Sequence, residues 1–121
     1  MSKKTIANII KGQDLAIAAP DSTVQEAVDI MRGRGIGAVL IVKSGKLKGI
    51  FTERDVVRLF SSPKEAKGHT MEEVMTPDPD TISTRTSTSE ALQMMAVGGY
   101  RHLPVVDKSK LVGIVSRRDF F

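Results

Sequence analysis

The sequence predicts a mixed α/β (α+β) fold made of two copies of a β-α-β-β-α unit packed sheet to sheet, and three observations predict it. The chain repeats itself: at an offset of 64, positions 21 to 57 fall on 85 to 121 without a gap, and 11 of those 37 pairs are identical, among them Glu26/Glu90, Ala27/Ala91, Arg54/Arg118 and Asp55/Asp119. Within each copy the apolar spacing changes from a helical stripe to short extended runs. A unit of about 60 residues is marginal as an independent fold, so two are expected to share one core.

Thr5 to Ile10 and Thr70 to Met75 correspond at an offset of 65 and read as short threonine-capped helices. Extended runs follow around Ala16 to Ala19 and Thr81 to Thr84. Ser22 or Thr23 then caps the main helix of the first copy, with Glu26 completing a capping box, and Ser87 with Glu90 does the same in the second. Val24, Ala27, Val28 and Met31 recur at helical spacing, answered by Thr88, Ala91, Leu92 and Met95. Gly33 and Gly35, or Gly98 and Gly99, stop these helices. Ala38 to Val42 and Leu47 to Thr52 form a hairpin around Lys43-Ser44-Gly45, matched by His102 to Val106 and Leu111 to Ser116 around Asp107-Lys108-Ser109. Their nearly continuous apolar runs predict strands covered on both faces.

Val56 to Phe60 reads as a closing helix. Its second-copy equivalent is cut short at Phe120-Phe121, which leaves open whether the native chain continues past Phe121. The expected organisation is repeat 1 over 5–60, a linker over 61–69 that holds Pro63 and Gly68, and repeat 2 over 70–121 with its final helix truncated.

With 40% hydrophobic and 26% charged residues the composition is that of an ordinary soluble protein. The absence of cysteine excludes disulfides, thiol chemistry and cysteine-ligated zinc. No apolar run approaches the roughly 20 residues that span a bilayer, and Met-Ser-Lys-Lys-Thr lacks the apolar core of a signal peptide. A cytoplasmic location without membrane attachment is therefore expected. A net charge of +4 and a pI near 9.6 invite nucleic acid. The basic residues, however, are scattered from Lys3 to Arg118 among acids, and aromatics are only 4%, which argues against it and suits a small anion.

The duplicated motif is Gly49-Ile50-Phe51-Thr52-Glu53-Arg54-Asp55 and Gly113-Ile114-Val115-Ser116-Arg117-Arg118-Asp119. A hydroxyl at a strand end before a helix start stands beside unpaired N–H groups and suits a phosphate. An aspartate one turn on can accept hydrogen bonds from the vicinal hydroxyls of a ribose. The same pairs are also capping boxes that need no ligand. Duplication, equivalent placement and the flanking Arg54, Arg117 and Arg118 favour an anion, because arginine in a first helical turn opposes the dipole. Arg101 and His102 stand where the first copy has Gly37 and Ala38; His102 reads either as a locally bonded strand residue or as a phosphate contact. Nothing resembles a nucleophile–base–orienter set or a P-loop, and neither His69 nor His102 has a second ligand at metal-site spacing. No catalysis and no metal are expected.

The segments Arg101-His102-Leu103-Pro104-Val105-Val106-Asp107 and Leu111-Val112-Gly113-Ile114-Val115-Ser116-x-x-Asp119, with their first-copy match, resemble the tandem CBS domain pair, or Bateman module, of stand-alone CBS-domain proteins. The likeness covers nearly the whole chain. It implies two pseudo-twofold related repeats with clefts between them for adenosine compounds such as AMP, ADP, ATP, NAD or S-adenosylmethionine, and no catalytic cofactor. Carried over by position, Thr52 and Ser116 meet phosphate and Asp55 and Asp119 meet ribose, with Arg54 and Arg118 flanking. Ser22 and Ala27, or Thr86 and Ala91, line the adenine slots, completed by Ile36, Gly37 and Ala38 or by Tyr100, Arg101 and His102. The resemblance also implies a homodimer that regulates a target protein. The alternative is a structural dimerisation or docking domain with empty clefts. The second copy carries Arg101, His102, Arg117 and Arg118 where the first has Gly37, Ala38, Glu53 and Arg54, so the second cleft is expected to bind a phosphorylated adenosine more tightly.

Overall fold

The computed structural model describes residues 4–61 and 69–121. In chain order the elements are α1 (Ile6–Ile10), β1 (Ile17–Ala18), α2 (Val24–Arg34), β2 (Ala38–Lys43), β3 (Lys46–Thr52), α3 (Glu53–Phe60), α4 (Met71–Val74), β4 (Thr76–Pro77), α5 (Thr88–Gly98), β5 (His102–Asp107), β6 (Lys110–Ser116) and a 3-10 turn over Arg117–Phe120. This is a mixed α+β fold with two sheets, β1-β2-β3-β4 and β5-β6. Of the expected linker over 61–69, only Ser61 and His69 lie within the described residues.

Local signals account for most of these elements. Thr23 and Ser87 accept hydrogen bonds from the backbone N–H of Glu26 and Glu90, whose carboxylates return to the N-cap backbone. The helices end where glycine supplies a left-handed residue, at Gly35 (φ 62°) and Gly99 (φ 71°), while Gly33 and Gly98 lie inside them. Both hairpins turn through two residues of positive φ, Ser44 (53°) with Gly45 (77°) and Lys108 (50°) with Ser109 (65°), the conformation that matches strand twist.

The compact units are not the two sequence repeats. One unit is Ala16–Pro79; the other joins the stretch up to Leu15 to Asp80–Phe121. The opening segment of each copy thus packs in the unit that holds the other copy's hairpin, so the boundaries 5–60 and 70–121 mark repeats of sequence, whereas compactness divides the chain at 15/16 and 79/80. Buried side chains follow the units. Val24, Ala27, Met31, Ile41, Phe51 and Met71 gather in one cluster, and Ile6, Ile10, Ala91, Met95, Leu103 and Val115 in a second.

The motif glycines are where these opening segments dock. A Cβ on Gly113 would lie 2.5 Å from Ile10 Cγ2, and one on Gly49 would lie 2.4 Å from Met75 Sδ and 2.8 Å from the Thr76 carbonyl. Glycine is needed for that approach. The two hairpins then satisfy their outer edges differently. In the first, β4 pairs with β3 through Gly49↔Pro77 and Ile50↔Thr76, a strand hidden from sequence inside a proline-rich join but tolerable at an edge. In the second, the Gln13 side chain takes that role: its amide donates to the Ile114 carbonyl (2.8 Å) and accepts from the Ile114 N–H (2.9 Å).

Two further expectations change. The run Thr81 to Thr84 is reduced to a bridge between Ile82 and Val105. The strands are not covered along their whole length: β2 is buried over 38–41 and β3 over 49–51, and the turn-proximal ends face water. Among the described residues no helix is long and apolar enough to cross a membrane.

Candidate functional site

Each copy of the motif sits at the open end of its hairpin, and each set of candidate residues lies within one unit. In the first, Ala38 pairs with Thr52 across the strands, and the Glu53 N–H donates to the Gly37 carbonyl (3.0 Å). In the second, His102 pairs with Ser116, and the Arg117 N–H donates to the Arg101 carbonyl (2.9 Å). The backbone frames are therefore equivalent. Strand pairing brings together the residues before the first hairpin strand and those after the second, which are far apart in sequence.

Ser22 and Thr86 are equivalent as well. Their hydroxyl oxygens accept from the backbone N–H three residues earlier, Ala19 and Ser83, both at 3.0 Å. This fixes each hydroxyl at the entrance of its main helix with its own O–H still able to donate. Ala27 and Ala91 are fully buried, one in each of the two clusters. Ile36 and Gly37 are half-buried and Ala38 is buried; Tyr100 and His102 are half-buried, and Arg101 is exposed.

The side chains diverge. In the second copy the Ser116 N–H donates to Asp119 Oδ2 (2.7 Å), and among the described residues that is the one hydrogen bond to this half-buried carboxylate. Arg101, Arg117 and Arg118 are exposed and make no ion pair within the described residues; Arg117 lies over the Phe121 ring at 5.8 Å. Three exposed arginines without ion-pair partners among the described residues, carried by the residues that flank this strand end, give it a positive charge. In the first copy Asp55 is 5% exposed. Its Oδ2 accepts from the Thr52 N–H (2.9 Å) and the Thr52 hydroxyl (3.3 Å), and its Oδ1 accepts from the Arg58 guanidinium. Glu53 folds over Gly37, where an added Cβ would meet its Oε1 at 2.3 Å.

Sequence reasoning missed two of these partners. Arg58 follows Asp55 by three positions on α3, a helical spacing that signals contact. The other is the hydrogen bond from the Tyr100 hydroxyl to Asp80 Oδ2 (2.6 Å), which spans 20 positions and has no local signal. Burial, and then the Asp80 hydrogen bond, push the Tyr100 hydroxyl up to about 12. Gly98 makes room for the ring, since a Cβ there would lie 2.1 Å from Tyr100 Cε2.

Comparison with known proteins agrees with this architecture. The profile of the CBS domain family matches residues 7–62 and 71–121. The CBS domain-containing protein YhcV of Bacillus subtilis is 37% identical over 106 residues, covering 87% of this chain and 75% of that protein. Among further curated relatives the chain spans from 13% to 63% of their length. The crystal structure of the CBS-domain containing protein ATU1752 from Agrobacterium tumefaciens superposes with a TM-score of 0.90 at 28% identity, covering 97% of this chain and 96% of that one. The CBS domain pair of protein MJ0100, crystallised with 5′-methylthioadenosine and S-adenosyl-L-methionine, gives a TM-score of 0.85 at 27% identity, covering 98% and 93%. Two matched segments, two equivalent hairpins and a twice-built strand end have one explanation: the chain belongs to the CBS domain family, as a tandem pair.

Proposed function

We propose that this chain is a regulatory, non-catalytic module that binds a phosphorylated adenosine compound, AMP, ADP, ATP or NAD, at the strand end formed by Ser116 and Asp119. The observation that carries the reading is the cluster of Arg101, Arg117 and Arg118, without ion-pair partners among the described residues, around a hydroxyl and a carboxylate with spare acceptor capacity. Ser116 and the arginines hold phosphate, Asp119 accepts from the ribose hydroxyls, and Thr86 with the backbone at Tyr100 to His102 frames the base. S-adenosylmethionine, present in the MJ0100 structure, suits this locus less because its sulfonium adds positive charge. The module acts in the cytoplasm as a homodimer on a target protein, and exposed Val57 and Phe60, one turn apart on α3, offer apolar surface for such contacts.

A thermal-shift series with AMP, ATP, NAD and S-adenosylmethionine tests this. A ligand that binds only the folded form at 100 times its Kd stabilises by about 2.7 kcal/mol, so AMP or ATP should raise the melting temperature by several degrees. No shift at millimolar concentration of any of the four would support a purely structural docking domain instead.

A further inference from the structure

We infer that the first-copy strand end is closed by its own side chains, Arg58 and Glu53, so that the chain takes up one phosphorylated adenosine rather than two. The inference rests on the binding mode proposed for the second copy. Three features of the first copy oppose the same mode. Both oxygens of Asp55 are engaged by protein donors, so a ribose hydroxyl would have to share Oδ1 with the Arg58 guanidinium at a carboxylate that is only 5% exposed. The Thr52 hydroxyl lies 3.3 Å from Asp55 Oδ2 and can donate to it, whereas among the described residues Asp119 receives only the Ser116 backbone N–H. Glu53 places a carboxylate over Gly37, where the second copy sets Arg117 beside Arg101. A phosphate arriving there meets like charge.

Arg58 and Glu53 are thereby specificity-determining residues. The Arg58 side chain is 64% exposed while the Asp55 side chain is 6% exposed, so the contact works as a latch on the surface over a buried acceptor. Removing the latch frees Oδ1 without touching the Thr52 cap. Neutralising Glu53 removes the repulsion.

Calorimetric titration with AMP of the wild-type chain and of the Glu53→Gln/Arg58→Ala variant reads the number of sites directly. One equivalent of AMP per wild-type chain and two per variant chain is the expected result, with any second wild-type event at least tenfold weaker. Two equivalents of similar affinity in the wild type would overturn the latch and leave the proposed function standing. A natively folded variant that still takes one would also overturn it. No AMP uptake by either protein would overturn both, and if the double variant misfolds the single Glu53→Gln and Arg58→Ala variants are read in the same way, a folded one without a second event overturning the part assigned to that residue.

Discussion

Thr52-x-x-Asp55 and Ser116-x-x-Asp119 are the same box at the same place on equivalent hairpins, and in both the cap residue's N–H donates to an aspartate Oδ2, at 2.9 and 2.7 Å. What separates them is a third partner. Arg58 takes the remaining oxygen of Asp55, which is buried, whereas the Asp119 carboxylate stays half-buried beside three arginines that lack ion partners among the described residues. A motif therefore specifies a backbone frame, and the side chains that close around it decide whether the frame is a cap or a binding locus. On the proposed reading, the first copy serves stability and the second a ligand.

If that contrast holds, truncating the two aspartates has unequal consequences for stability. Asp55→Ala should cost about 3 kcal/mol of folding free energy, because it removes a cap and leaves the Thr52 N–H without its acceptor. Asp119→Ala should cost about 1 kcal/mol, the ordinary loss of a cap at a half-buried carboxylate without a second partner among the described residues. Urea unfolding of the two variants measures the difference; equal losses would mean that the copies are energetically alike.

The docking glycines sharpen the same comparison. Gly49→Ala drives a Cβ against the Thr76 carbonyl, which cannot move without disturbing β4, and should cost about 2 kcal/mol. Gly113→Ala meets the Ile10 side chain instead and should cost somewhat less, since α1 can shift with it. A smaller urea-midpoint loss in Gly49→Ala than in Gly113→Ala would show that edge pairing by β4 is the softer of the two.

The smallest effect concerns Tyr100, found in the second-copy unit. It is the chain's single tyrosine and there is no tryptophan, so tyrosinate absorbance reports it alone. Its hydroxyl is raised to about 12 in the fold against 10.0 in the open chain. The neutral form is the one stabilised, so this contribution is complete below pH 10 and is lost as pH rises through 12. Asp80→Asn should move the spectroscopic titration back toward the ordinary value, and Tyr100→Phe should abolish this part of the alkaline loss of stability. An unmoved midpoint in Asp80→Asn would remove Asp80 as a cause.

Capping boxes, left-handed stops and hairpin turns were legible in the sequence because their determinants lie within a few positions: Thr23 and Glu26, Gly35 and Gly99, Ser44-Gly45 and Lys108-Ser109. The motif's backbone frame was legible through the duplication. What escaped depends on where the chain folds back. Nothing local marks Thr76–Pro77 as an edge strand, Gln13 as its side-chain substitute on β6, or Asp80 as the acceptor for Tyr100. The assignment of α1 and α4 to units was hidden for the same reason, since a repeat offset gives correspondence and not contact. Arg58 was readable from its helical spacing to Asp55, but its importance emerges only with the burial of that carboxylate.

The most direct measurement is a calorimetric titration of AMP into Asp55→Ala and Asp119→Ala side by side. The expected result is wild-type affinity in the Asp55 variant and a loss of at least tenfold, roughly 1.4 kcal/mol, in the Asp119 variant. Unchanged affinity in Asp119→Ala, or a larger loss in a folded Asp55→Ala, would contradict the assignment of the ligand to the second copy.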